Sequence, residues 1–502
     1  MSELILENKN NLPKGWVETI LDELIVKMSN GTTAKQIQEK TKYPVSRIET
    51  ISNEFVDFVK VRYLNNPTKD IIEKYKIEQG DILFSNINSD IHLGKTAIFY
   101  ENQTLIHGMN LLLIRPESRI VIPKFLNFYF KYYRNLGKFI SIAQHAVNQS
   151  SINQTKLKNL DFIIPPLNEQ KRIVAKIEEL FSLLESTKEI LEKTKILLKQ
   201  YRQSLLKSAF EGKLVSQDPN DEPASMLLEK IRRGKDSKSK IDFGMSKLIL
   251  EKNNGLPKGW ILSRMQDIVL TPKNDIVDGP FGSNLKATEY VDDGIPIIRL
   301  QNVDRNQFIN KNIRYVTKEK AKQLQRHSFL KNDIVITKLG FPVGKATLVP
   351  EYLENGIIVA DILRMRVLDK FVSRKFLTYL INSEIITKQF ANHTQGTTRP
   401  RVNLTKFRDF IIPLPPLNEQ KRIVAKIEES FFLIHNSEKS VDALFLQNNL
   451  LKTSTLKQAF EGKLVPQDPN DEPAEILLEK IKAEKEQLIQ KQKASRSTKN
   501  VK

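Results

Sequence analysis

Two stretches invite a phosphate-binding reading, GFPVGKAT at 340–347 and HLGKTA at 92–97, because a glycine-rich turn ending in Gly-Lys can present backbone N–H groups and an ammonium to phosphates. The full pattern also needs a glycine five places before the Gly-Lys and a hydroxyl directly after the lysine. The first stretch is one residue short and has Ala346 where the hydroxyl belongs; the second has Ser89 in place of the leading glycine. Both read as tight turns, with Lys95 and Lys345 as candidate phosphate contacts. Other catalytic patterns are missing. Methyl transfer to a base amine needs an Asn/Asp-Pro-Pro-aromatic loop, but the only Pro-Pro pairs read IPPL and LPPL. His92, His107, His145, His327, His393 and His435 show no metal-binding spacing, there is no cysteine, and no GxSxG elbow occurs. The acidic QDPNDEP at 217–223 and 467–473 reads as a turn into a helix. The chain is therefore expected to catalyse nothing by itself and to bind no metal.

The polar loops offer a different chemistry. DGPFGSNLK at 278–286 is a glycine-containing loop with Ser283, Asn284 and Lys286 as donors. TQGTTRPRVN at 394–403 gathers Gln395, Thr397, Arg399, Arg401 and Asn403, and Arg299 and Lys338 stand close to strand-like runs. Arginine pairs with guanine edges and Asn or Gln with adenine edges, while Lys, Ser and Thr hold phosphates. The matching stretch AQHAVNQSSIN at 143–153 lacks both arginines and presents Gln144, His145, Asn148, Gln149 and Asn153. Polar surface loops without a ligand are the bland alternative.

These loops must be held by something, and the chain repeats once. LPKGW at 12–16 recurs at 256–260, and MSELILE at 1–7 as MSKLILE at 245–251. PPLNEQKRIVAKIEE is identical at 165–179 and 415–429, and AFEGKLV-x-QDPNDEPA follows at 209–224 and 459–474. Within each unit the first 160 or so residues have diverged while the last 60 or so are nearly unchanged. One surface is copied and one is varied, which favours two targets read by one scaffold over simple decay of a duplication. The divergent parts alternate short β-like runs, such as 295–300, 333–337 and 357–360, with turns, and a helix is expected over 374–381. This predicts mixed α/β domains with a mainly antiparallel, irregular sheet.

In the copied parts, residues recur in steps of four and three from Ile173 to Leu205 and from Ile423 to Thr455. Asn168 or Asn418 can cap each helix start, and Gly212 or Gly462 stands where a glycine ends a helix. A helix over 168–211 is about 65 Å long and must bury its stripe. An antiparallel intramolecular pair is the economical solution, and a homodimer through each helix is the alternative. Polar seam residues Thr187, Thr194, Ser430, Ser437 and Asn448 lower stability but fix register.

With 79 Lys+Arg against 59 Asp+Glu, the 502 residues carry +20, a field that attracts a polyanion such as duplex nucleic acid; a basic proteome would give the same sign. The absence of cysteine, of an apolar leader and of any spanning apolar run places the chain in the cytoplasm, off the membrane.

With PPLNEQKRIVAKIEE twice, AFEGKLV after each helix, and DGPFGSNLK plus GIPIIRLQNV at 294–303, the chain resembles the specificity (S) subunits of type I restriction-modification enzymes over essentially its whole length. The resemblance implies an α+β protein with an internal pseudo-two-fold repeat, in which two mixed α/β target recognition domains are separated by two long helices packed as an antiparallel coiled coil. Recognition domains fall at 1–164 and 245–412, long helices at 165–212 and 413–462, and an acidic turn with a short helix and basic linker or tail at 213–244 and 463–502. Each recognition domain would read half of a bipartite, asymmetric site in double-stranded DNA. The helix pair would set the unread gap and dock two methyltransferase (M) subunits, with restriction (R) subunits added. S-adenosylmethionine, ATP and magnesium would sit on those partners, and no cofactor on this chain. One departure matters: the first unit has NGTTAKQIQEKTK at 30–42, ending at Lys42, where a DGPFG loop is expected, although Pro44 and Arg47 still match Pro296 and Arg299. A self-contained methyltransferase or nuclease and a scaffold that binds only proteins remain the rivals.

Overall fold

A computed structural model describes residues 12–147, 149–234, 255–281, 284–394 and 400–499, with side chains to 487. The basic linker, both copies of MS-x-LILE, and Asn148, Ser283, Gln395, Thr397 and Arg399 lie outside the described residues. The chain divides into two compact units, Met1–Leu191 with Ala443–Lys502, and Glu192–Asp442. Each unit thus takes half of each long helix.

In the first unit, Val17–Ile20 pairs antiparallel with Asp161–Ile164, so the chain enters and leaves the recognition domain side by side. Between them lies an antiparallel sheet in the order Ile25–Asn30, Leu112–Pro116, Ile82–Phe84, Thr96–Ile98. Its two central strands carry Ile82, Leu83, Phe84 and Leu112, Leu113, Ile114, buried on both faces, which is where branched and aromatic side chains fit a pleat best. Helix Pro123–Asn135 starts on a proline at its first turn and buries Phe125, Tyr129, Phe130 and Tyr133. Tyr129 packs edge to face on Tyr133 and lies tilted on Phe162 and Phe460. Two smaller sheets flank this core, one of them joining Gln144–Ala146, Gln149–Ser151 and Ile87–Asn88.

The second unit follows the same plan. Ile261–Arg264 pairs with Ile411–Leu414, and an antiparallel sheet runs Ile276–Asp278, Ile362–Met365, Ile334–Thr337, Ala346–Leu348. A second sheet, in the order Arg314–Val316, Ile295–Ile298, Asn355–Ile358, Ser328–Leu330, contains one parallel pair, Ile295–Ile298 with Asn355–Ile358. The strands expected at 295–300, 333–337 and 357–360 are present, shifted by a residue or two, and the expected helix is found at Arg374–Ile381.

The long helices span Leu167–Phe210 and Leu417–Phe460. They begin one residue before the asparagines expected to cap them, so Asn168 and Asn418 lie inside the first turn. Gly212 and Gly462 do end them, both with φ of 70°. Within the first unit the two helix segments run antiparallel: Ile173 and Ile177 share a core with Leu456 and Phe460, and Asn448 Nδ2 donates to the Leu184 carbonyl at 3.1 Å. Within the second, Phe210 shares a core with Ile423 and Ile427, and Arg202 pairs with Glu438 at 3.2 Å. The expected stripe largely holds: in the second helix Ile434, Val441, Asn448 and Thr455 are buried at strict seven-residue steps. Tyr201, Ser437, Leu444 and Leu451 depart from it and are exposed, and Lys452, which follows Leu451, pairs with Glu185 at 3.0 Å.

The most faithfully copied motif turns out to be an internal junction. Glu169 and Glu419 are buried and accept from the indoles of Trp16 (3.1 Å) and Trp260 (3.0 Å). Burial raises the pKa of both carboxyls, the indole hydrogen bond opposing it. Gln170 accepts from the Ile122 N–H at 2.8 Å and donates to the Ile120 and Pro165 carbonyls; Gln420 accepts from the Ser373 N–H at 2.9 Å and donates to the Pro415 carbonyl. Arg172 and Arg422 reach Asp471 (2.8 Å) and Asp221 (2.6 Å), so the acidic turn is a clasp on the helix start. Each clasp comes from the other copy of the repeat: 459–474 serves the first unit, 209–224 the second.

Candidate nucleic-acid interface

In the second unit, three loops converge. The loop between Ile334–Thr337 and Ala346–Leu348 is bound along one side by the segment after residue 399: the Gly340 N–H donates to the Pro400 carbonyl (3.2 Å) and the Val402 N–H to the Lys338 carbonyl (3.1 Å). The Lys338 N–H donates to the Asp361 carbonyl at 2.9 Å, and the Arg401 guanidinium lies 3.4 Å from the Asp361 carboxylate. Beneath them the Lys338 ammonium, its side chain only 2% exposed, donates to Asp278 at 2.6 Å and sits 4.2 Å above the centre of the Phe281 ring. Burial lowers the pKa of Lys338, and the Asp278 hydrogen bond and charge oppose that shift. Lys338 therefore props the surface from inside.

Beside this cluster a cavity of about 300 Å³ is lined by residues that include Pro280, Tyr290, Arg299 and Asp361. The Arg299 guanidinium donates to the Asn312 carbonyl, while its buried Nε meets no hydrogen-bond acceptor among the described residues. Arg299, Lys338 and Arg401 are thus brought to one side of the domain. Asn284 and Lys286 are exposed on the same stretch of chain as Pro280 and Phe281. Lys345 pairs with Asp304 at 3.0 Å, and Asn403 caps the helix Leu404–Arg408 by accepting from the Thr405 N–H at 2.9 Å.

The first unit repeats the scaffold with other side chains. Gln144–Ala146 and Gln149–Ser151 form an exposed hairpin that pairs through Ser150 and Ser151 with Asn88 and Ile87. Gln144, His145 and Gln149 are exposed on it. His145 is oriented by contacts with Ser150 Oγ (2.9 Å) and the Ile140 carbonyl (3.2 Å), and Ser150 donates to Asp90. Asn153 caps Gln154–Lys158, as Asn403 does in the other unit. Arg47 lines a cavity of about 240 Å³ with Thr32, Gln36, Ser46 and Asn110, and pairs with Glu49 at 3.2 Å. Lys42 is exposed over the Tyr43 ring, and the Lys95 ammonium donates to the Ser52 carbonyl at 2.7 Å, its pKa lowered first by burial and then by Arg134.

The two Gly-Lys turns have a structural explanation. Gly94 and Gly344 take φ of 73° and 87°, and a Cβ would come within 2.2 Å of Phe139 or 2.4 Å of Phe390. The glycine lets the turn sit on an aromatic ring. Sequence reasoning did not single out Asp278 as the partner of Lys338, Asp361 under Arg401, or the Ser150–Asp90 pair. Asp278 carried a signal, since a lysine inside a β-like run needs a buried acid.

A family model described as the type I restriction modification DNA specificity domain matches residues 13–195 and 281–441, more than half of the chain. The chain is 42% identical over 188 residues to the putative type I restriction enzyme MjaX specificity subunit of Methanocaldococcus jannaschii, a match covering 37% of this chain and 44% of that protein. It is 27% identical over 498 residues to the EcoKI specificity subunit of Escherichia coli, covering 94% and 96% of the two chains. In fold it is similar to the HsdS subunit from Thermoanaerobacter tengcongensis, with a TM-score of 0.55 at 17% identity over 91% of this chain and 99% of that one.

Proposed function

The chain belongs to the family of type I restriction-modification specificity subunits, and on that premise we propose that it is a non-catalytic reader of double-stranded DNA that directs adenine methylation and restriction by partner subunits. Each recognition domain reads one half of a bipartite, asymmetric site. The observation that carries this reading is the shared scaffold with exchanged side chains: in the matching stretches one unit presents Gln144, His145 and Gln149, the other Arg401. Amide and guanidinium groups prefer different base edges, so the two halves differ in sequence. The basic excess of +20 supplies the attraction to phosphates that precedes reading.

The long helices set the gap and dock two methyltransferase subunits. Supporting this, Leu183 and Leu433 are 62% and 59% exposed, and Ile196 and Leu446 are 58% and 64% exposed, at matching positions of the two copies. Solvent-exposed apolar residues repeated at equivalent places suit two copies of one partner. S-adenosylmethionine, ATP and magnesium belong to the methyltransferase and restriction subunits, and the assembly works in the cytoplasm.

Purified with its methyltransferase partner and S-adenosylmethionine, the chain is expected to direct methyl transfer to adenine in duplex DNA; alone it should transfer no methyl group and cut no strand. Transfer or cleavage by the chain alone would contradict the reading, as would a complex that modifies DNA equally well without it.

A further inference from the structure

Among the described residues the most exposed large apolar side chain is Phe341, at 97%. It stands at the tip of the loop that hydrogen-bonds through Gly340 and Lys338 to Pro400 and Val402. Four residues after Gly340, Gly344 is seated on the Phe390 ring, so the loop is held at both ends. The first unit makes the same arrangement from different residues. Ile91, also three places before a Gly-Lys, is 73% exposed. Its loop is pinned by Gly94 on Phe139, by the Ile152 N–H donating to the Asn86 carbonyl (2.9 Å), and by Arg134 donating to the carbonyl of Ile91 itself (2.9 Å). In both units, then, a loop with an apolar tip is hydrogen-bonded along the very segment that carries the polar candidates for base contact.

Exposed Phe or Ile beside such groups is the composition of a DNA wedge, in which an apolar side chain enters the stack between two base pairs while neighbouring polar groups hold the edges and backbone. The exposed polar groups around each tip, Arg401 in one unit and Gln144 and Gln149 in the other, are of the kind that contact base edges and phosphates. Resting on the DNA-reading role above, we infer that Phe341, and Ile91 in the other unit, are wedges that open a base step beside each reading loop. The opened step makes the half-site sensitive to stacking as well as to hydrogen bonding, so selectivity extends to a step that no polar side chain touches.

The test uses the complex of this chain with its methyltransferase and a duplex bearing its methylated site, with the adenine analogue 2-aminopurine placed step by step through each half. The wild-type complex should brighten the analogue at one step per half, because unstacking relieves quenching. F341A should lose the signal in one half only and bind the paired duplex roughly tenfold less tightly, the scale of one lost stacking contact. A mismatch at that step should restore F341A binding, and F341W should retain both signal and affinity; I91A should act only in the other half. The wedge is overturned if F341A binds and brightens like wild type, if it weakens paired and mismatched duplexes equally, or if it instead prevents assembly with the methyltransferase. Wild-type complex that binds neither duplex removes the DNA-reading role itself, a result separate from any of these.

Discussion

Replacing residues 1–164 by the same segment of another specificity subunit is expected to change one half of the methylated motif completely and leave the other half and the gap as they were. The fold shows why the segment is exchangeable. Its ends leave side by side as Val17–Ile20 and Asp161–Ile164, and besides the shared apolar core its attachment to the start of the first long helix includes contacts that any such segment can make. Trp16 donates to Glu169, and the backbone at Ile120 and Ile122 meets Gln170. A donor segment that keeps the tryptophan and presents backbone at 120–122 meets the same helix start, because the helix uses side chains to bind main chain. The chimera is scored by mapping adenine methylation in a cell that carries it with the methyltransferase. Alteration of both halves would contradict the modular reading.

Asp278→Ala is expected to destabilise the second unit by about 3–5 kcal/mol, because it strands the Lys338 ammonium in a site where it is 2% exposed. The cost is that of an uncompensated buried charge, which is larger than the net worth of the pair. Accordingly the double variant Asp278→Leu with Lys338→Met should recover most of the lost stability, since an apolar pair of similar volume suits the space under Phe281. Denaturant unfolding of the two variants and the parent gives both numbers. A single substitution costing under about 1 kcal/mol, or a double variant no better than the single, would show that Lys338 is not held as described.

Much of the architecture was legible because the copied segments obey simple periodicities. Steps of four and three predict two long helices, and a glycine after each predicts where it ends, at Gly212 and Gly462. Strands such as Ile334–Thr337 are short apolar runs between turns, a pattern that needs no tertiary information. Two things were not legible. The exposure of Ser437, Leu444 and Leu451 beside the buried line Ile434, Val441, Asn448 and Thr455 does not follow from residue type, since two of the exposed positions are leucines and two of the buried ones are polar. The identity of PPLNEQKR in the two copies resembles a conserved outer surface, yet its Glu, Gln and Arg are spent on Trp16 or Trp260, on backbone and on Asp471 or Asp221.

The candidate contacts were harder still. Residue type places Lys338 and Arg401 alike among phosphate or base contacts, but burial separates them, one under the surface and one on it. Asn153 and Asn403 look like adenine readers in a loop, and both act as helix caps, a role that their position just before Gln154–Lys158 and Leu404–Arg408 already suited. Phe341 and Ile91 carry no polar atom beyond the backbone, so a search for hydrogen-bonding side chains passes over them.

The central claim is that this chain chooses where a partner methylates. It is tested most directly by mapping adenine methylation across the genome of a host that carries the chain with its methyltransferase, and of the same host lacking only this chain. The account predicts that one bipartite motif, two short halves around a fixed gap with an adenine modified on each strand, is present in the first and gone from the second. An identical map in both hosts would contradict it.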